Sequence, residues 1–382
     1  MDTKQFIDAG LEYQEKGDYD KAIDHYQKAI GLEPSSSRAY NCMGNAYGDK
    51  GDFKKSIECY EKAIELNPKY AEAYFNMGIS YGDKGDFKKS IECYEKSIEL
   101  NPKYVDAYFN MGIAYGDNGN LDKAMECFQK SAELDPNNPN AYGHIGSVYG
   151  TKGDYDKAIE CYQKVIALMP DSVIGHYNMG YMYINKGNLD KAIECYQKAV
   201  TMDPNNLKIC YNLANAYSDK GNTDRAIEYY QKTIDLNPDI AQAYFGLGNA
   251  YSDKNDYDKA IEYYQKAIER APDFADAHKN IGSVYSKKGD FDKAIESFQK
   301  AIDLKSNIAF AHFNMGVAYA RKGNFDDAIK CYQEEIKLNP KDHVAYYNMG
   351  DAYERMGNLG KGEEYKQKAA ELKEKFGYDI YN

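Results

Sequence analysis

Tryptophan is absent from this chain, while tyrosine occurs 39 times in 382 residues. Mean hydropathy is -0.76. A polar average with so many aromatics argues against a disordered chain, because disordered segments are poor in aromatics. It implies many small buried faces rather than one large core. No apolar stretch approaches the roughly 18 residues of a membrane span. The start, MDTKQFIDAG, lacks the apolar run of a secretory signal. A cytoplasmic protein is the expectation. Basic residues are outnumbered, with 48 Lys and Arg against 60 Asp and Glu, a formal net charge of -12. That argues against nucleic acid and against an anionic membrane surface, both of which call for clustered Lys and Arg. Eight cysteines are too few for a disulfide scaffold in so long a chain.

What is present is a period. Sixteen residues, YGDKGDFKKSIECYEK, stand at 47–62 and again at 81–96. Glycine recurs every 34 residues from Gly17, giving way once to Asn255. Proline recurs from Pro34 and gives way once to Ser306; tyrosine recurs eleven times from Tyr13 to Tyr353 without a miss. Eleven repeats therefore start at 3, 37, 71, 105, 139, 173, 207, 241, 275, 309 and 343 and fill residues 3–376, with a tail at 377–382. A single repeat domain leaves no length in this chain for a separate catalytic one.

Each repeat is helical twice. In residues 37–70, Tyr40, Met43, Gly44 and Tyr47 share one face of a first helix. Ser56, Ile57, Tyr60, Ala63 and Ile64 share one face of a second, and Asn67-Pro68 ends it. Gly51 suits the left-handed residue that closes a helix, and Asn255 is the next-best residue for that place. The following position is Asp or Asn in all eleven repeats, from Asp18 to Asn358, where a side-chain oxygen caps the next helix. Small residues such as Gly44 and Ser56 admit close helix approach, and large Tyr fill the remaining space. Truncating Tyr149 to Ala is expected to cost roughly 3–5 kcal/mol.

The spacing Tyr40…Met43-Gly44…Tyr47…Ser56…Tyr60…Ala63…Pro68 resembles the tetratricopeptide repeat, a 34-residue helix-turn-helix. The resemblance implies an all-α α-solenoid, a right-handed superhelix of eleven repeats whose first helices line a concave groove. The family's usual first Trp is here Tyr, His, Phe or Cys. The last repeat departs further, with Gly360 and Gly362 near the start of its second helix and Glu363 and Lys366 in place of packing residues. It reads as a solubility cap. Glu335, at a usually small position, is expected to loosen the joint before it.

Catalytic and cofactor chemistry finds no support. GDKGDFKKS is not a phosphate loop, because Phe53 stands where the second glycine is required. DNGNLD and DKNDYD fail the calcium-loop spacing. Cys59, Cys93, Cys127, Cys161, Cys195 and Cys331 share one register, but equivalent points on stacked hairpins are roughly 10 Å apart. That is too far for a disulfide or a shared metal, so free reduced thiols are expected. His176, His278 and His312 fill a packing slot otherwise held by Tyr. No cofactor, no metal and no enzymatic activity are expected.

Candidate ligand contacts come from two rows on the first helix. Asn76, Asn110, Asn178, Asn212, Asn280, Asn314 and Asn348 stand two residues before the small position. An amide pairs with a peptide backbone as donor and acceptor, as in the asparagine ladder of superhelical members of the family. The alternative is that these amides bond locally between repeats. The second row changes sign: Asp49, Asp83, Asp117, Asp219 and Asp253, then Lys287, Arg321 and Arg355. It predicts an N-terminal stretch for basic segments and a C-terminal stretch for acidic ones. The family's clamp for chaperone tails is not matched, since Lys279, Ser283, Asn314, Val344 and Asn348 fail three of its five positions. The expected function is a scaffold binding extended peptide segments of an unidentified protein partner, with roughly micromolar affinity. The alternative is a structural solenoid stacking end to end as a homo-oligomer.

Overall fold

The structure, a computed structural model, describes residues 1–308 and 310–377. The first position of the tenth repeat and most of the expected C-terminal tail therefore lie outside the described residues. Among those described, twenty-two α-helices form the chain and no strand occurs.

The chain divides into two compact units between Lys186 and Gly187. The first unit holds α1 (Thr3–Glu15), α2 (Tyr19–Leu32), α3 (Ser37–Asp49), α4 (Phe53–Leu66), α5 (Ala71–Asp83), α6 (Phe87–Leu100), α7 (Val105–Asp117), α8 (Leu121–Leu134), α9 (Pro139–Thr151), α10 (Tyr155–Leu168) and α11 (Val173–Asn185). The second holds α12 (Leu189–Met202), α13 (Leu207–Asp219), α14 (Thr223–Leu236), α15 (Ala241–Asp253), α16 (Tyr257–Arg270), α17 (Ala275–Lys288), α18 (Phe291–Leu304), α19 (Ala311–Arg321), α20 (Phe325–Leu338), α21 (His343–Arg355) and α22 (Leu359–Phe376). Within each unit a helix packs on its hairpin partner and on the next hairpin's first helix. Successive first helices also touch, α1 on α3 and α19 on α21 among them.

The elbow forms as its chemistry dictates. Gly51 has φ +83° and Asn255 φ +59°. The Asp52 N–H reaches back to the Tyr47 carbonyl at 2.8 Å, and the Gly51 N–H to Gly48 at 2.8 Å, which satisfies the last carbonyls of α3. The Asp52 carboxylate then accepts the Lys55 N–H at 3.2 Å and starts α4. The same cap opens each second helix except α20, where Asn324 makes no side-chain cap bond.

The core follows from size pairing. A Cβ on Gly44 would lie 2.5 Å from the Tyr60 ring, and one on Gly248 would lie 2.4 Å from Tyr264. The second-helix aromatics Tyr26, Tyr196, Tyr264, Phe298 and Tyr332 are almost fully buried. The recurrent first-helix Tyr varies: Tyr115 and Tyr217 are buried, whereas Tyr47, Tyr149 and Tyr285 are half-buried.

The tenth repeat starts late. Lys305-Ser306-Asn307 replaces the Asn-Pro turn, Phe310 takes φ +60°, and α19 begins only at Ala311. A phenylalanine in the left-handed region is strained. The departure from the usual turn ends with Ile308 buried.

Candidate functional site

Both predicted rows lie on first helices, and parts of them converge. In the first unit, α1, α3, α4 and α5 enclose a cavity of about 280 Å³ lined by Asp49, Asn76 and Asp83 together with Gln14 and Tyr60. In the second unit, α19, α20 and α21 enclose one of about 500 Å³ lined by Arg321, Asn348 and Arg355 together with Tyr332 and Asp351. A third, of about 380 Å³ between α9, α10 and α11, holds Asn178. Asp117, Asp219, Asp253 and Lys287 are exposed at the last turns of α7, α13, α15 and α17.

The cavities differ in charge. Asp49 accepts the Gln14 amide at 2.6 Å, and neither Asp49 nor Asp83 has a cationic partner among the described residues. Arg355 pairs with Asp351 at 2.8 Å on its own helix. Arg321 has no ion-pair partner among the described residues, so the second cavity keeps a free guanidinium.

The asparagines divide. Asn76 donates to Asn41 Oδ1 at 3.2 Å and Asn280 to Asn249 Oδ1 at 2.9 Å, each on the preceding first helix. Asn110 donates to the Asp106 carbonyl of its own helix at 2.9 Å. These three spend a donor inside the protein. Asn178, Asn314 and Asn348 make no side-chain hydrogen bond among the described residues and are half-buried.

Three features escaped the sequence reading. Asn45, Asn215 and Asn249 accept the hydroxyls of Tyr60, Tyr230 and Tyr264, each at 2.7 Å. The signal was a fixed Asn-to-Tyr spacing of fifteen. The buried Asn41 adds a link to Glu72, its Nδ2 donating at 3.4 Å. The third feature is a run of ion pairs between hairpins: Lys50 with Asp20 and Lys288 with Asp258 at 2.5 Å, Lys254 with Asp224 at 2.7 Å. Lys152, Lys186, Lys220 and Lys322 pair likewise with Asp122, Asp156, Asp190 and Asp292. A spacing of thirty carried that signal. It also accounts for the lysines beside Asp49, Asp219 and Asp253, each of which pairs with an acid of the preceding hairpin.

The cysteines are free. Burial pushes the thiols of Cys59, Cys93, Cys127 and Cys331 up to about 12, and those of Cys161 and Cys195 up to about 11. Protonated at neutral pH, they are poor nucleophiles. Burial lowers His144 and His278, and His144 stacks on Phe128 with centroids 4.8 Å apart. Among the described residues no group of three or more His, Cys, Asp or Glu is placed to hold a metal, and no helix is long and apolar enough to cross a membrane.

Family profiles cover the same repeats. Profiles described as TPR repeat match residues 10–51, 44–85, 80–119 and 146–187. Those described as Tetratricopeptide repeat match 105–138, 173–206 and 127–160. One described as Cilia and flagella-associated protein 70 C-terminal domain matches 206–375. Together they run without a gap from residue 10 to residue 375, and the chain belongs to the tetratricopeptide repeat family. No curated protein matches it. Among solved structures, the C-terminal part of a TPR repeat-containing protein from Cytophaga hutchinsonii is 21% identical, with a TM-score of 0.54 over 63% of this chain and 99% of that one. It shows the same fold. MamA protein is 33% identical over 46% of this chain and 96% of its own, with a TM-score of 0.42. Yeast Tom70 is 17% identical over 97% and 92%, with a TM-score of 0.45.

Proposed function

We propose that the chain is a non-enzymatic scaffold that holds extended segments of partner proteins against its first helices. One observation carries this reading: two cavities between successive first helices each combine a predicted Asn with predicted charges, acidic at Asp49 and Asp83, basic at Arg321 and Arg355. The first accepts a basic stretch and the second an acidic one. The free amides of Asn178, Asn314 and Asn348 supply backbone contacts. Each contributes roughly 0.5–1.5 kcal/mol, so affinity requires several together.

The test is a panel of fluorescent extended peptides, acidic and basic, titrated into the full chain. Arg321→Glu with Arg355→Glu is expected to weaken acidic peptides at least tenfold and to leave basic ones unchanged. Unchanged selectivity overturns the reading.

End-to-end assembly is the second reading. Leu359, Tyr347 and Met356 of the last hairpin are exposed at 68%, 52% and 44%, which offers an apolar surface to another copy. Light scattering separates the two. A mass held at 43.4 kDa over a wide concentration range supports the scaffold, and growth with concentration supports assembly.

A further inference from the structure

A cavity of about 450 Å³ opens between α16, α17 and α18, formed by both second helices and away from the predicted rows. Its origin is legible by comparison with the repeat before it. There, Tyr251 of α15 stacks on Tyr263 of α16, with centroids 5.3 Å apart and planes 3° from parallel. Lys259 lies over Tyr251 and Lys266 over Tyr263, each at 4.9 Å, and Lys266 is tethered to Glu262 at 2.6 Å.

One repeat on, almost every part of that assembly recurs. Tyr285 stands for Tyr251, with Lys293 over its ring at 5.3 Å. Lys300 stands for Lys266 and is tethered to Glu296 at 2.8 Å. The missing part is the second ring, because Ser297 stands where Tyr263 does. His278 also replaces the larger Tyr244. The cavity is lined by Tyr285, Ser297, His278, Lys293 and Lys300, over a floor that includes the buried Ile281. In the tenth repeat Cys331 stands in the place of Ser297 and is buried.

We infer that this cavity is a binding site for a tyrosine side chain of a partner protein, which seats its ring on Tyr285 where the chain supplies none of its own. The protein defines the ligand by its own usage. Tyr229 stacks on Tyr217 at 5.8 Å, and Tyr365 on Tyr353 at 5.5 Å. Elsewhere in the same unit this position holds either tyrosine or, at Cys195 and Cys331, cysteine, so the only ring it takes there is a tyrosine. Offset-stacked rings at such distances attract beyond the area they bury, and the Lys300 ammonium adds a cation–π contact. The seat is distinct from the first-helix cavities, so a partner can engage both at once.

The experiment titrates N-acetyl-tyrosinamide into the full chain and follows binding by calorimetry and by the NMR signals of the protein. Saturable binding is expected, at least tenfold tighter than for N-acetyl-leucinamide. Ser297→Tyr fills the seat from within and is expected to weaken binding at least tenfold while raising the unfolding temperature. Tyr285→Leu removes the stacking face and is expected to weaken it similarly; Ser297→Ala should leave it unchanged. Arg321→Glu with Arg355→Glu should also leave it unchanged, which separates this site from the proposed peptide groove. The inference is overturned if wild type shows no saturable binding, if Ser297→Tyr binds as wild type does, or if Ser297→Tyr fails to fold and so shows that the ring does not fit.

Discussion

Glu335 stands in α20 where other second helices carry Ala, Ser, Thr or Val. It is 4% exposed, and its Oε2 has no hydrogen-bond partner among the described residues. Burial raises its carboxyl, the nearby Asp342 adds to the rise, and the Phe313 N–H works against it. The folded chain therefore keeps a proton that the unfolded chain releases, over a window that opens near the ordinary value of 4.5. The contribution of Glu335 to stability is greatest below that window and falls as pH rises through it. Glu335→Gln is expected to flatten the fall in a pH series of urea unfolding. Glu335→Ala, restoring the residue found in other repeats, is expected to stabilise the last hairpins by about 1–3 kcal/mol at neutral pH, the usual cost of a buried unpaired group. At the same scale the structure redistributes the aromatic energy. Tyr196 is 1% exposed and pinned in the core. Tyr196→Ala is expected to cost about 3–5 kcal/mol, whereas the half-buried Tyr149 loses less. Denaturant unfolding of the two variants checks the order.

Among the elements, the ion pairs between hairpins explain an irregularity in the opening phrase. FKKS places Lys54 and Lys88 where the other second helices, α22 apart, carry Asp. Lys84 therefore meets Lys54 in the register where Lys50 meets Asp20, and no ion pair forms there. Lys54→Asp is expected to complete this pair and raise the unfolding temperature at low salt, with the gain lost at high salt. The final helix is the weak element. Only Gly362, Ala369 and Leu372 of the eighteen residues of α22 are buried. Lys366 replaces the packing tyrosine, its stem near Gly350 and its ammonium 2.5 Å from Glu354. Hydrogen exchange is expected to open α22 before α4 or α16, since few apolar contacts hold it. Equal protection in all three would contradict this.

At the scale of the whole molecule, the net charge of -12 is unevenly useful. More than half of the lysines pair with Asp or Glu of their own or the preceding hairpin, whereas Asp49, Asp83 and Arg321, which line the two cavities, have no ion-pair partner among the described residues. Binding at either cavity is therefore expected to weaken with salt, and Asp49→Lys with Asp83→Lys is expected to cost basic peptides at least tenfold without affecting acidic ones. Fluorescence anisotropy at two salt concentrations measures both effects.

The repeat, its two helices, the glycine elbow and the Asp or Asn cap were all readable in the sequence, because each depends on residues within a few positions of one another. Gly51, Asp52 and Tyr60 carry their roles in their spacing. The faces of the first helices were readable for the same reason, and with them the positions of Asn76 and Arg321. What only the tertiary structure decided is how side chains divide their bonds between hairpins. Asn76 and Asn280 turn to a neighbouring asparagine while Asn348 stays free, although all three occupy one register. Ser297 leaves a space that Tyr263 fills. Such outcomes depend on which residues two stacked hairpins present to each other, and a period of 34 places those partners far apart in the chain but side by side in the fold.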